Sequence, residues 1–372
     1  MYINTSPKRV GKLFLAPKDP GVIRSYHQSL PLYTTTPLLK LDQVTQDLGV
    51  KNVLVKYEGD RLGLPSFKIL GASWGTFRAI ADKAGLPLNS SLEHLSQEAV
   101  KRSIKLVTAT DGNHGRALAR MAKILGIDAE VFVPQFTDDA TKAIIAGEGA
   151  TVTAVKGSYD AAVHIAYEAA QKDPRNLLIQ DTAFEGYEQI PSWIVEGYST
   201  MLREIDEQLN EQHLTASMII TPVGVGSLAQ AVVSHYKSKA SLQTSVITVE
   251  PESSPCLHES LKEGKTVCVE TSQTIMDGMN CGTVSLTAWE ILEAGVDASM
   301  IISDVEADES VKKLRSYGIA AGPCGAASLA ALYRLVKDGL LKEQLGPDAT
   351  VVLLCTEGAR EYVSPQRTRW ET

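Results

Sequence analysis

The sequence predicts an α/β fold built from two doubly wound parallel-sheet domains. Three observations lead there. From residue 68 onward, short apolar runs alternate with longer segments of helical period. The apolar runs are nearly continuous, as in strands covered on both faces. They are too numerous for one comfortable sheet, and a chain of 372 residues is long enough for two domains.

"PSFKILGASWGTFRAI" (65–80) places Ile69, Ala72, Phe77 and Ile80 on one helical face, with Pro65 and Ser66 at its start. "IKLVTAT" (104–110) reads as a strand, and "RALARMAKILG" (116–126) as a helix closed by glycine. "AEVFVP" (129–134) is a strand, "DDATKAIIAGEG" (138–149) a helix and "ATVTAV" (150–155) a strand. "YDAAVHIAYEAAQKD" (159–173) is a helix, "LLIQD" (177–181) a strand, and another helix spans about 190–208. "SMIITPV" (217–223), a glycine loop, a helix and "SVITVEP" (245–251) continue the alternation, and "ATVVLLCTEG" (349–358) adds a last buried strand. Residues 255–290 carry Pro, Ser and Gly but few periodic apolar positions, so they read as an irregular excursion.

Composition excludes several classes. The chain is 44% hydrophobic and 22% charged, as expected of a soluble globular protein. A net charge of −8 without a basic run argues against a nucleic-acid or membrane surface. No apolar stretch approaches the roughly 18–20 residues of a membrane span, and "MYINTSPKRVGKLFLAP" has no apolar core of signal-peptide length. Five cysteines without CxxC suit a reducing compartment, so a cytoplasmic location is expected. Seven scattered histidines without HExxH predict no metal site.

Three motifs carry chemistry. Lys68 falls in the first turn of its helix, where the dipole disfavours a cation. That placement favours a lowered pKa and a nucleophilic amine, although most lysines are simply solvated. "TPVGVGSLAQA" (221–231) is a strand, a glycine turn and a helix, the geometry of an anion site. It also spells GxGxxA, and Glu250 ends the next strand where a ribose-binding acid belongs, so a NAD-dependent dehydrogenase is a rival reading. A tight packing turn is the simpler alternative. "TATDGNHGRALA" (108–119) sets Thr110, Asp111, Gly112, Asn113 and His114 at another helix start, which suits a carboxylate ligand. Asp111 is out of place in an anion cradle unless the ligand also carries an ammonium, or Asp111 is a base. It also reads as an N-cap.

Together "SFK", "TDGNHG", "GVGS" and "CTEG" resemble the pyridoxal-phosphate enzymes of tryptophan-synthase-β type, the group of serine/threonine dehydratases and cysteine synthases. "TIMDG" (274–278) is similar to the "TIADG" of threonine dehydratases. A closer resemblance is to the diaminopropionate ammonia-lyase family. Its "PSFK", "ATDGNHG", "QDTAxEGYxxIPxWIxxGY" and "GWEIL" recur at Pro65–Lys68, Ala109–Gly115, Gln180–Tyr198 and, with Ala288 for the glycine, Trp289–Leu292.

The resemblance implies pyridoxal 5'-phosphate as cofactor, in the cleft between the two domains. A large domain (1–70 and 186–372) would bind its phosphate, and a small one (71–185) would carry the substrate loop. Lys68 would attach the cofactor covalently, with Asp111 and Asp181 as catalytic carboxylates. Gly224, Val225, Gly226 and Ser227 would hold the phosphate and Asn113 the ring hydroxyl. Gly278 would also bind the cofactor, and Cys355, or Thr356 as the fallback, would face the ring nitrogen. Ser66, Thr110, Asp111, Gly112 and His114 would bind a small amino-acid substrate. A neutral partner at the ring nitrogen restrains the electron sink and favours β-elimination over transamination.

The implied reaction is elimination of ammonia from 2,3-diaminopropionate to give pyruvate, by a homodimer. Serine/threonine dehydratase is the alternative, and Asp111 argues against it, because that position is usually small and uncharged in dehydratases. Relatives often carry an acid before the glycine-alanine segment, where "AGPCGAAS" has Pro323 and Cys324. Relatives also carry cysteines matching Cys256 and Cys281, which implies that the two lie near one another.

Overall fold

A computed structural model describes residues 1–4, 20–110, 112–238 and 244–366. The chain begins with β1 (Tyr2–Ile3), α1 (Pro20–Ser29), β2 (Leu38–Lys40), α2 (Asp42–Leu48) and β3 (Asn52–Tyr57). Then follow α3 (Lys68–Ala84), α4 (Leu92–Lys101), β4 (Lys105–Ala109), α5 (Asn113–Leu125), β5 (Asp128–Pro134), α6 (Asp139–Gly147), β6 (Thr151–Val155), α7 (Tyr159–Gln171) and β7 (Asn176–Leu178). Next are α8 (Gln189–Gly197), α9 (Ser199–Glu211), β8 (Met218–Pro222), α10 (Ser227–Ser238), β9 (Ser245–Pro251) and α11 (Cys256–Glu263). The rest comprises α12 (Leu286–Gly295), β10 (Ala298–Ile302), α13 (Asp304–Ser316), α14 (Pro323–Lys337) and β11 (Thr350–Cys355).

Two compact units result. One gathers β1, Thr35–Phe67 and the chain from Met201; the other gathers α1 and Lys68–Thr200. Their junctions fall at Phe67/Lys68 and Thr200/Met201, against the expected 70/71 and 185/186. In the second unit α8 reaches α3 closely enough that a β-carbon on Gly197 would lie 2.5 Å from the Leu70 carbonyl oxygen.

The first unit carries a seven-stranded sheet in the order β1-β10-β9-β8-β11-β3-β2. Its five central strands run parallel, and the short edge strands β1 and β2 are antiparallel. The second unit carries a four-stranded, wholly parallel sheet, β6-β5-β4-β7. The central strands of the larger sheet are buried along their length, as their continuous apolar runs require. The core beneath them includes Val53, Met218, Ile220, Ile247, Val351 and Leu353, all essentially without exposure.

The structure departs from the sequence reading in four places. The strand expected at 177–181 stops at Leu178, because a side chain takes over its ladder: Gln180 Oε1 accepts the Ala109 N–H at 2.9 Å and the Thr108 hydroxyl at 2.8 Å. The helix expected near 190–208 is two helices, separated at Tyr198. The excursion at 255–290 contains α11 and the start of α12, so its irregular part narrows to Gly264–Ser285, with a 3₁₀ turn at Asp277–Met279. The alternation did not mark β3 and β10, which are both central strands.

The first unit also buries four charges together. Lys56, Glu58, Arg61 and Glu204 all have zero exposure. Lys56 Nζ meets Glu204 Oε2 at 2.8 Å, and Arg61 donates from Nη1 and Nη2 to the same carboxylate at 2.8 and 2.7 Å. Arg61 Nε and Nη2 donate to Glu58 at 2.8 and 2.7 Å, and the Thr36 hydroxyl donates to Glu58 Oε1 at 2.6 Å. The cluster is neutral overall, and it anchors the segment that runs from β3 toward Lys68. Burial alone would raise the Glu204 pKa, but Arg61 and Lys56 hold it well below the usual carboxylate range.

Glu204→Gln therefore leaves the cations short of one charge in a dry site. We expect a loss of about 3–5 kcal/mol in urea unfolding at neutral pH. A loss below about 1 kcal/mol would mean that the cluster is not dry.

Candidate active site

In the second unit, Lys68 is the first residue of α3, at the positive end of the helix dipole. Asp181, on the segment after β7, meets it: Nζ to Oδ2 is 2.5 Å. The carboxylate is 3% exposed and the lysine side chain 17%, so the amine keeps an opening. Burial pushes the Asp181 carboxyl up, but the Lys68 charge, His114 and the Tyr159 hydroxyl together hold it at about 2. Tyr159 donates to Asp181 Oδ1 at 3.4 Å, and Gln180 Nε2 donates to the Tyr159 hydroxyl at 2.7 Å. The Tyr187 hydroxyl accepts the Gln180 N–H at 2.9 Å and donates to the Leu178 carbonyl at 2.7 Å. Each residue thus fixes the next, and the carboxylate ends in one orientation.

His114 is buried behind this pair. Its Nε2 donates to the Ile179 carbonyl at 2.8 Å. Burial lowers its pKa, so the ring is neutral and Nδ1 carries the lone pair. A lone pair cannot donate to a carboxylate, which accounts for the 3.9 Å between Nδ1 and Asp181 Oδ2. Thr110 Oγ1 accepts the N–H groups of Gly112 at 2.9 Å and Gly115 at 3.1 Å, so Thr110 does the capping at the start of α5. Asn113 is the first residue of α5, and Asp111 lies outside the described residues.

In the first unit, the loop between β8 and α10 holds Gly224, Val225, Gly226 and Ser227. Gly226 has φ +93°, a left-handed backbone that favours glycine. A β-carbon on Gly224 would lie 3.0 Å from the Gly278 carbonyl oxygen and 3.2 Å from Cys281 Sγ. Cys256 Sγ donates to the Gly224 carbonyl at 3.6 Å. Cys256 and Cys281 therefore both stand against Gly224, with no disulfide between them. The Ser227 hydroxyl is buried at the start of α10 without a hydrogen-bond partner among the described atoms.

Ser66, Cys355 and Thr356 come together at the end of β11. Ser66 pairs with Glu357, and the Phe67 N–H donates to the Thr356 carbonyl at 3.3 Å. The Cys355 thiol donates to the Glu357 carbonyl at 3.6 Å, and burial raises its pKa, so it stays neutral. Glu357 Oε1 accepts the Cys324 N–H at 3.0 Å. A carboxylate remote in sequence thus reaches the start of α14, where "AGPCGAAS" has none of its own.

The glycine loop fits a pyridoxal phosphate. It offers a helix N-terminus, a backbone open for close approach and a buried hydroxyl in want of an acceptor. It does not fit the dinucleotide reading. Glu250, which would hold a ribose, is fully buried and accepts the N–H groups of Leu257 and His258 at 2.8 and 2.7 Å, capping α11. Among the described residues no group of His, Cys, Asp and Glu could hold a metal ion, and no helix is long and apolar enough to cross a membrane.

The family model described as pyridoxal-phosphate dependent enzyme matches residues 30–357. The chain is 33% identical to the diaminopropionate ammonia-lyase of Escherichia coli (strain K12) over 361 residues, covering 94% of this chain and 90% of that one. The chain belongs to the diaminopropionate ammonia-lyase family of pyridoxal-phosphate enzymes. The crystal structure of the E. coli member in complex with an aminoacrylate-PLP azomethine reaction intermediate superimposes with a TM-score of 0.84 at 30% identity, covering 96% of this chain and 94% of that one. Its fold is fold type II. A biosynthetic L-threonine dehydratase from Corynebacterium glutamicum is more distant, 25% identical over 95% of this chain and 77% of that one.

Family motifs cover Lys68, Gln180, Asp181, Tyr187 and the glycine loop, but not Tyr159, which completes the frame around Asp181. Tyr159 opens the otherwise mostly apolar α7, and no sequence signal ties it to Asp181.

Burial raises the Glu250 pKa to about 8, against the two N–H bonds that favour its ionised form. A carboxyl raised in the folded state contributes stability below its unfolded pKa and loses it as pH rises toward 8. Thermal unfolding of the wild type should therefore weaken between about pH 4.5 and 8, and Glu250→Gln should flatten that slope. Parallel slopes would mean that Glu250 is ionised in the fold.

Proposed function

We propose that the chain eliminates ammonia from the β-carbon of 2,3-diaminopropionate, giving pyruvate and, after hydrolysis, a second ammonia. The observation that carries this reading is the Lys68–Asp181 pair at 2.5 Å, in a chain 33% identical to a diaminopropionate ammonia-lyase. When bound, pyridoxal phosphate supplies the electron sink that stabilises negative charge at Cα.

The residues divide the remaining work. Lys68 would attach the cofactor, and its amine, when free, would take the Cα proton of one enantiomer. Asp111 takes it from the other. Asp181, ionised down to about pH 2, orients the Lys68 amine and favours an ammonium beside it. The leaving group is itself an amine that departs protonated, so an ionised carboxylate suits this substrate. Expulsion of hydroxide would need a proton donor instead.

His114 would line the substrate side of the site, its one N–H committed to the Ile179 carbonyl. Ser66, Thr110 and Gly112 lie on the backbone that would receive the substrate carboxylate. The loop from Gly224 to Ser227 would hold the phosphate, Gly278 would contribute to the same cofactor site, and Asn113 would meet the ring hydroxyl. A neutral Cys355, or Thr356, would face the ring nitrogen. A homodimer in the cytoplasm completes the reading.

Lys68→Ala should abolish both turnover and the visible absorbance of the holoenzyme, with an unchanged circular-dichroism spectrum. Asp181→Asn should lower kcat/KM for diaminopropionate by about 10²–10⁴-fold. A wild type that turns over serine faster than either enantiomer of diaminopropionate would assign the chain to the dehydratases.

A further inference from the structure

Arg360, five residues beyond β11, has none of the roles assigned above. Its Nη1 meets Asp277 Oδ2 at 2.9 Å, its Nη2 donates to the Ile275 carbonyl, and its Nε lies 3.5 Å from Glu357 Oε1. One guanidinium thus ties three places in the first unit. Two of them, Ile275 and Asp277, lie just before Gly278, at the entry to the turn at Asp277–Met279. The third is Glu357, which adjoins Cys355 and Thr356.

The segment bearing Arg360 is held on both sides. The Gly358 N–H donates to the Pro65 carbonyl at 2.8 Å, and the Tyr362 hydroxyl and Ser364 Oγ donate to Asp308 Oδ1 at 2.8 and 3.2 Å. The same leading segment is also held by Asp304, which accepts the Thr274 hydroxyl at 2.5 Å and the Ile275 N–H at 3.0 Å. What the turn presses against is the glycine loop, since the Gly278 carbonyl lies where a β-carbon on Gly224 would be crowded.

An ion pair with a carboxylate that is 50% exposed contributes little by itself. The planar fork is different, because it fixes the angle of the turn by holding a side chain and a backbone carbonyl together. We propose that Arg360 is a positioning residue for pyridoxal phosphate: by clamping the Ile275–Met279 turn it sets the wall on which Gly224 rests, and so the shape of the phosphate loop. This inference rests on the phosphate lying at Gly224–Ser227.

The test uses the whole protein, as wild type, Arg360→Gln, Arg360→Lys and Asp277→Asn. Cofactor affinity is read by titrating the stripped protein with pyridoxal phosphate, and the phosphate environment by the phosphorus NMR shift of the bound form. Arg360→Gln and Asp277→Asn should each weaken affinity about fivefold or more and move the phosphorus signal. Lysine should restore the charge but not the fork, giving partial rescue. The unfolding temperature of the stripped proteins should stay close to that of the wild type.

Unchanged affinity and phosphorus shift in both Arg360→Gln and Asp277→Asn would overturn the inference. So would a loss matched by lower stability of the stripped protein without rescue by lysine, which would make Arg360 a structural tie. A wild type that binds no pyridoxal phosphate would overturn the cofactor reading itself.

Discussion

A lysine at the first position of a helix faces the dipole's positive end, and the second unit is arranged around offsetting that penalty. Asp181 supplies the offset at 2.5 Å, but a carboxylate 3% exposed is itself costly unless held. The hold comes from the strand end beneath it. Gln180 replaces a ladder hydrogen bond with its side chain, Tyr187 takes the Gln180 N–H, and Tyr159 links Gln180 to Asp181. The early end of β7 is therefore the price of aiming a carboxylate at the amine.

The protein makes a related use of its helix starts. Four of them can be compared. Glu250 occupies the start of α11, and Glu357 that of α14. In the second unit Thr110 occupies the start of α5. α10 begins instead with a left-handed Gly226 and a buried Ser227 hydroxyl without a partner among the described atoms. An anion from outside the chain is suited to the start that the protein's own groups have not taken.

Much of this was legible before any coordinates. Parallel strands buried on both faces announce themselves as unbroken apolar runs, and β4, β5, β8, β9 and β11 were read that way. β3, "NVLVKY", was hidden by its lysine: Lys56 looks like a surface residue until Glu204, 148 positions away, is seen to bury it. The same limit hid the cap on α14, since nothing near Cys324 in sequence predicts a carboxylate from residue 357. Glu250 misled for a related reason. Its spacing from the glycine loop matches a ribose-binding acid, and only the N–H groups of α11 show what it serves. Local spacing reports the elements, whereas partners far along the chain decide what a charge does.

The buried cluster of Lys56, Glu58, Arg61 and Glu204 has an evolutionary consequence. No member can change alone without stranding a charge, whereas a coordinated exchange for apolar residues of similar volume can be neutral or even stabilising. These four positions are therefore coupled in inheritance. Across related chains they should be retained as a set or replaced as a set, with Glu204 tracking Lys56 and Arg61 despite the distance along the sequence. The segment leading to Lys68 is thereby protected against gradual drift, and it can be remodelled only by a jump.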